Sequence, residues 1–125
     1  MRRNTAISIV ILLVVFALSS AAFAQKGTAL RVVVVKTDNV AAYVQEIEKG
    51  RQLSKSMGLQ GQVRVWRARF AGPEAGTVVV SIEYPNLAAL ASDDAKVNAN
   101  SEYQSWLKGL DKIRTIVSDS LYSEM

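Results

Sequence analysis

Apolar and polar positions alternate most cleanly between Thr77 and Tyr84. Val78, Val80, Ile82 and Tyr84 share one face there, while Thr77, Val79, Ser81 and Glu83 share the other. The pattern predicts a strand whose first set lies under helices. The preceding run is mixed, with Val63, Val65, Arg67 and Arg69 set against Arg64, Trp66, Ala68 and Phe70. A slip of one residue would exchange the two sets between faces, so the register of this strand stays open. Between the runs lies Ala71-Gly72-Pro73-Glu74-Ala75-Gly76. Gly and Pro there supply turn backbone angles, so 62–84 reads as a β-hairpin. Earlier, Leu30 to Lys36 is a continuous β-branched run, the pattern of a central strand covered on both faces.

Helical spacing fills the gaps. Val40, Tyr43, Val44 and Ile47 recur at i, i+3, i+4 and i+7, and Met57 continues the stripe. Thr37, Asp38 and Asn39 offer N-caps, and Gly58 a C-terminal stop. Gly50 and Ser54 weaken the stripe; they either admit a close neighbour or mark an exposed helix end, and the second is expected. Pro85-Asn86-Leu87 ends the hairpin and caps a helix with Leu87, Leu90, Ala91 and Val97 on its apolar side. Asn98-Ala99-Asn100 interrupts that helix. Ser101 with Gln104 three residues on is a capping-box pattern. Tyr103, Trp106, Leu107 and Leu110 then form the best amphipathic segment. Arg114 to Tyr122 reads as a last strand.

The order is therefore β-α-β-β-α-β. It predicts an α+β, ferredoxin-like domain with one four-stranded antiparallel sheet and helices on one face. The other face would carry apolar side chains with nothing above them. A homodimer packed face to face would cover it.

Targeting and composition narrow the setting. Arg2 and Arg3 precede the apolar run AISIVILLVVFAL, and small residues follow up to Ala24. This is the pattern of a secretory signal peptide over 1–24, which leaves 25–125 as a single domain. An uncleaved anchor is the alternative, since Ala6 to Ala24 is just long enough to span a bilayer. Either way the chain is expected to be exported, to a bacterial periplasm or beyond, and to meet the membrane only through that segment. Arg2 and Arg3 account for two of the 15 basic residues. The remaining 13 face 11 acidic ones, so the net charge falls from +4 to +2. That balance argues against nucleic acid as a partner. Cysteine is absent, so burial rather than disulfides must hold the domain.

The segments WRARFAGPEAGTVVVSIEYPNLAALA, SEYQSWL and VSDSLYSEM resemble the dimeric α/β barrel superfamily, with its NIPSNAP-like and antibiotic-biosynthesis-monooxygenase-like members. The resemblance runs from about Leu30 to Tyr122. It implies a homodimer whose sheets form a shared barrel, with a cleft between sheet and helices in each subunit. It does not fix a chemistry, because the superfamily includes oxygenases, haem binders and isomerases.

Histidine and cysteine are both missing. That removes a His haem ligand, the usual zinc sets and a thiol nucleophile. No cofactor or metal is expected. Glu83 is the one charge in its strand, and either hairpin register brings an arginine near it: Arg64 directly opposite in one, Arg67 on the same face in the other. Arg64, Trp66, Arg67 and Glu83 are thus the candidate ligand-binding residues, with a plain cross-strand ion pair in a dimer interface as the simpler role. Trp66 is assigned to interface or pocket, and Trp106 to core packing. Asp93-Asp94 is expected on a solvated surface, as are Glu46 and Glu48. The favoured function is a binding or interaction module whose cleft takes a small amphipathic ligand. The alternative is a cofactor-independent monooxygenase acting on an aromatic substrate.

Overall fold

The computed structural model describes residues 27–125; the leader over 1–24 lies outside them. Strand β1 (Ala29–Lys36) leads to helix α1 (Val40–Ser56), strands β2 (Gln62–Arg67) and β3 (Val78–Tyr84), helices α2 (Leu87–Ala99) and α3 (Ser101–Leu110), and strand β4 (Thr115–Ser123). The strands form one sheet in the order β2-β3-β1-β4, with every neighbouring pair antiparallel. The β-branched run of β1 thus lies centrally, between β3 and β4, and β2 is an edge.

The alternation in β3 sorts as its sequence predicts. Val78, Val80 and Tyr84 are buried. Val78 and Val80 pack with Val33 and Val35 of β1 against Tyr43 and Ile47 of α1 and Leu110 of α3. Tyr84 joins Ala29 and Ala89 of α2 in a second cluster. All three helices therefore cover the same sheet face. Each valine, isoleucine or leucine among them contributes roughly 1.5–3 kcal/mol of transfer free energy when fully buried.

Helix starts follow asparagine. The side chains of Asn39, Asn86 and Asn100 accept from the backbone N–H groups of Ala42, Ala89 and Tyr103, satisfying amides that have no partner within the helix. For α3 this corrects the capping box: Asn100 is the cap, and Ser101 is already the first helical residue. Gly58, at φ +69°, stops α1 as predicted.

The region of Gly50 and Ser54 is also corrected. Both are buried, and the Trp106 ring lies directly on Gly50, where a Cβ would collide with it. Glycine is needed for that close approach, not for an exposed helix end. Trp106 is packed against the core as its spacing predicts. Its indole N–H donates to the Glu46 carbonyl at 3.2 Å, tying α3 to α1.

The hairpin settles in a register that neither expectation contained. Gln62 faces Glu83, Arg64 faces Ser81, and Arg67 faces Val78. The loop is longer than the sequence implies: the Ala68 N–H donates to the Thr77 carbonyl at 3.0 Å, the Gly76 N–H donates to the Ala68 carbonyl at 2.8 Å, and Gly72–Glu74 forms a 3-10 turn. Phe70 therefore stands in the loop, fully exposed.

Candidate functional site

The site grows from the spacing between the helix layer and the sheet. Val33, Val80, Ile82 and Val63 form a floor, and Trp106 and Leu107 stand opposite; together they border a cavity of about 250 Å³. Polar side chains gather around this apolar centre. Arg31 of β1 and Asp119 of β4 enter from the sheet, Tyr84 from the end of β3, Tyr103 from α3, and Asp93 and Asp94 from α2.

Tyr84 is fixed by a close approach. A Cβ on Gly61 would come within 2.9 Å of the Tyr84 ring and 2.7 Å of Ile82 Cγ2. Only glycine lets the chain before β2 lie flat against that ring. Asp93 secures the same segment from the helix side. Its carboxylate accepts from the backbone N–H of Gln60 at 3.0 Å and of Gly61 at 2.8 Å, and the residue is 3% exposed. The expected solvated surface for Asp93 is thus overturned: it is a buried clamp between α2 and the approach to β2. Its position four residues after Ala89 and four before Val97, on the inward stripe of α2, is the signal that marks it. Asp94 is exposed, as expected.

Tyr84 is 5% exposed, yet its hydroxyl has no hydrogen-bond partner among the described residues. No side-chain N or O atom among the described residues is both enclosed and unpartnered, so that oxygen keeps access to solvent at the border of the cavity. Burial, reinforced by Asp94 and Asp93, pushes this hydroxyl up from 10.0 to about 12. Burial also pushes the Tyr103 hydroxyl up, against the opposing influence of Ser54, Arg31 and Arg114. Both tyrosines therefore remain neutral O–H donors near pH 7. The Tyr103 and Trp106 rings meet edge to face, with centroids 5.3 Å apart.

The three arginines that border the cavity are all engaged. Arg31 donates twice to Asp119, at 2.9 and 2.6 Å; this fork holds the Asp119 carboxyl below its ordinary range and Arg31 above its own. Arg114 donates to Asp111 at 3.0 and 3.1 Å and to the Tyr43 hydroxyl at 3.2 Å. Arg51 donates to Glu48 at 2.7 Å and to the Val63 carbonyl at 2.9 Å. Among the described residues, no group of three or more Asp, Glu, His or Cys is placed to hold a metal.

The residues singled out in the hairpin are placed elsewhere. Arg64, Trp66 and Glu83 lie on the outer sheet face, away from the helices, whereas Arg67 shares the opposite side with Val63 and Val65. None of the four borders the cavity. Trp66 is half-exposed, and its indole N–H donates to the Ser81 hydroxyl at 2.8 Å. The expected pairing of Glu83 with an arginine is corrected: Arg64 faces Ser81, diagonal to Glu83, and Glu83 takes part in no ion pair among the described residues. The two-residue slide of the ladder is the cause. Glu46 and Glu48 lie on the solvated side of α1, paired with Lys49 and Arg51.

The strand order, the common helix face and the connections decide the architecture. The chain has the ferredoxin-like fold. Solved structures carry the same arrangement at low sequence identity. A NIPSNAP-like domain protein from Burkholderia xenovorans superposes with a TM-score of 0.58 at 14% identity, over 78% of this chain and 82% of that one. A dimeric ferredoxin-like protein from an uncultured marine organism gives 0.57 at 16% identity, over 80% and 97%. SnoaB, a cofactor-independent oxygenase from Streptomyces nogalater, gives 0.53 at 10% identity, over 78% and 93%. The fold is thus that of NIPSNAP-like and monooxygenase-like domains, as the sequence resemblance implies. No protein-family model and no curated protein sequence matches the chain. Among the described residues no helix is long and apolar enough to cross a membrane.

Proposed function

We propose that the chain is an exported, homodimeric binding module whose cleft between sheet and helices holds a small amphipathic ligand. The observation that carries this reading is the cavity itself: an apolar centre bordered by Val33, Val80 and Trp106, with the side chains of Tyr84, Tyr103 and Arg31 on its rim. Convergent polar groups around an apolar hollow are the usual composition of a small-molecule site. The homodimer is supported by the outer sheet face, where Trp66 and Tyr122 stand half-exposed with Val32 and Val79 between their strands, and by the dimeric state named for the marine ferredoxin-like protein. Export rests on the Arg-apolar-small pattern of 1–24.

Calorimetric titration of the purified protein with 2-naphthol, an apolar ring system bearing one hydroxyl, tests the reading. One site per chain is expected, and Tyr84→Phe should weaken it by roughly three- to tenfold through loss of one hydrogen bond. Absence of saturable binding, or full affinity in both Tyr84→Phe and Tyr103→Phe, would refute it. Oxygen uptake with polycyclic phenols distinguishes binding from turnover: a binding module consumes none.

A further inference from the structure

The charges around the cavity are unevenly satisfied. Each of the three arginines that border it already has a carboxylate partner: Arg31 holds Asp119, Arg51 holds Glu48, and Arg114 holds Asp111. Two carboxylates on the same border, Asp93 and Asp94, have no cation within ion-pair distance among the described residues. Asp93 is occupied by the amides of Gln60 and Gly61. Asp94 has neither amide nor cation among the described residues. An anionic ligand would therefore find every arginine engaged and would approach uncompensated negative charge. A cationic one would find the reverse.

The aromatic side chains point the same way. Tyr84, Tyr103 and Trp106 all border the cavity, and the planes of the last two lie 66° apart, so three aromatic rings surround one space. The negative faces of such rings attract an ammonium group, most strongly where water is excluded. Asp94 and Asp93 lie near enough to Tyr84 to oppose ionisation of its hydroxyl, so their field reaches the ring that a cation would touch. Arg31 also feels Asp94, but its fork on Asp119 leaves that carboxylate outside the pair.

Resting on the binding reading above, we propose that the ligand is an amphipathic cation: an aryl or alkyl ammonium whose apolar body lies over Val80 and Ile82. Its positive head sits among Tyr84, Tyr103 and Trp106, facing Asp94. Neutral amphiphiles enter the same cavity with lower affinity, and anionic ones are excluded.

Three probes that share one ring system test this by calorimetry on the purified protein: (2-naphthylmethyl)trimethylammonium, 2-naphthol and naphthalene-2-sulfonate. The ammonium should bind tightest and the sulfonate weakest. Asp94 is exposed, so Asp94→Asn should fold normally; it should lower the ratio of ammonium to naphthol affinity by roughly fivefold or more. A second variant, Tyr103→Leu, should lower the same ratio by removing one ring face. Sulfonate binding at or above the ammonium affinity, or an unchanged ratio in Asp94→Asn, overturns the cation assignment while naphthol binding keeps the cleft reading intact. Failure of all three probes to bind overturns both.

Discussion

Gly50→Ala is the sharpest probe of how the helix layer is assembled. In a helix interior, alanine is favoured over glycine by about 0.5–1 kcal/mol. At Gly50 the added methyl would overlap the Trp106 ring edge and come within 3.0 Å of Cε2. The indole cannot yield freely, because its N–H is bonded to the Glu46 carbonyl and its ring meets Tyr103 edge to face. Overpacking of this kind costs roughly 1–3 kcal/mol. The propensity gain offsets part of it, leaving a net loss of about 1 kcal/mol. For a domain of this size that lowers Tm by about 4–8 °C. Gly109 supplies the control: it lies in α3, and a Cβ there meets nothing within 4 Å. Gly109→Ala should therefore stabilise by up to about 0.5–1 kcal/mol. Thermal unfolding followed by circular dichroism compares the two. Gly50→Ala as stable as Gly109→Ala would refute the close packing of α1 on Trp106.

Other expectations follow from particular side chains. Asp93→Ala strips two part-buried backbone amides of their acceptor and should cost roughly 1–3 kcal/mol in urea unfolding; a loss below half a kcal/mol would mean the clamp is dispensable. Tyr84 should be the tyrosine that ionises near pH 12 in an ultraviolet titration, and Tyr84→Phe should remove that step. Because its folded value is raised, the associated stability is full below pH 10 and is lost as pH rises toward 12. The Asp119 carboxyl is held below its ordinary 3.8 by Arg31, so its contribution is present above that pH and fades as pH falls further; Asp119→Asn should flatten this acid limb. Trp66→Glu on the outer sheet face should convert a dimer to a monomer in sedimentation; a wild type that is monomeric at micromolar concentration would contradict the homodimer.

The strands and helices were legible because each carries one clear period. Val78, Val80 and Tyr84 alternate, and the α3 stripe runs through Trp106 to Leu110; burial then fixes which side faces inward. The hairpin register was not legible. Arg69 and Phe70 continue the alternation of β2 in sequence, but Thr77 donates its hydroxyl to the Glu74 carbonyl at 2.6 Å and the 3-10 turn takes up the chain from Gly72. Local hydrogen bonding in the loop ends the ladder at Ala68 and slides Arg64 away from Glu83. The cavity was legible only as an implied cleft. Its polar border comes from β1, β3, β4, α1, α2 and α3, and no short motif joins residues as distant as Arg31 and Asp119. Gly50 and Asp93 were misassigned for one shared reason: a small or charged residue on a helix stripe marks a close neighbour or a buried clamp only when the facing element is known.

Amide shift mapping in NMR during titration with 2-naphthol shows directly whether the cleft between helices and sheet is the binding site. Shifts should concentrate at Gly50, Gly61, Tyr84, Tyr103 and Trp106, around the cavity. Shifts concentrated at Arg64, Trp66, Ser81 and Glu83, on the outer sheet face, or no shifts at millimolar ligand, would contradict it.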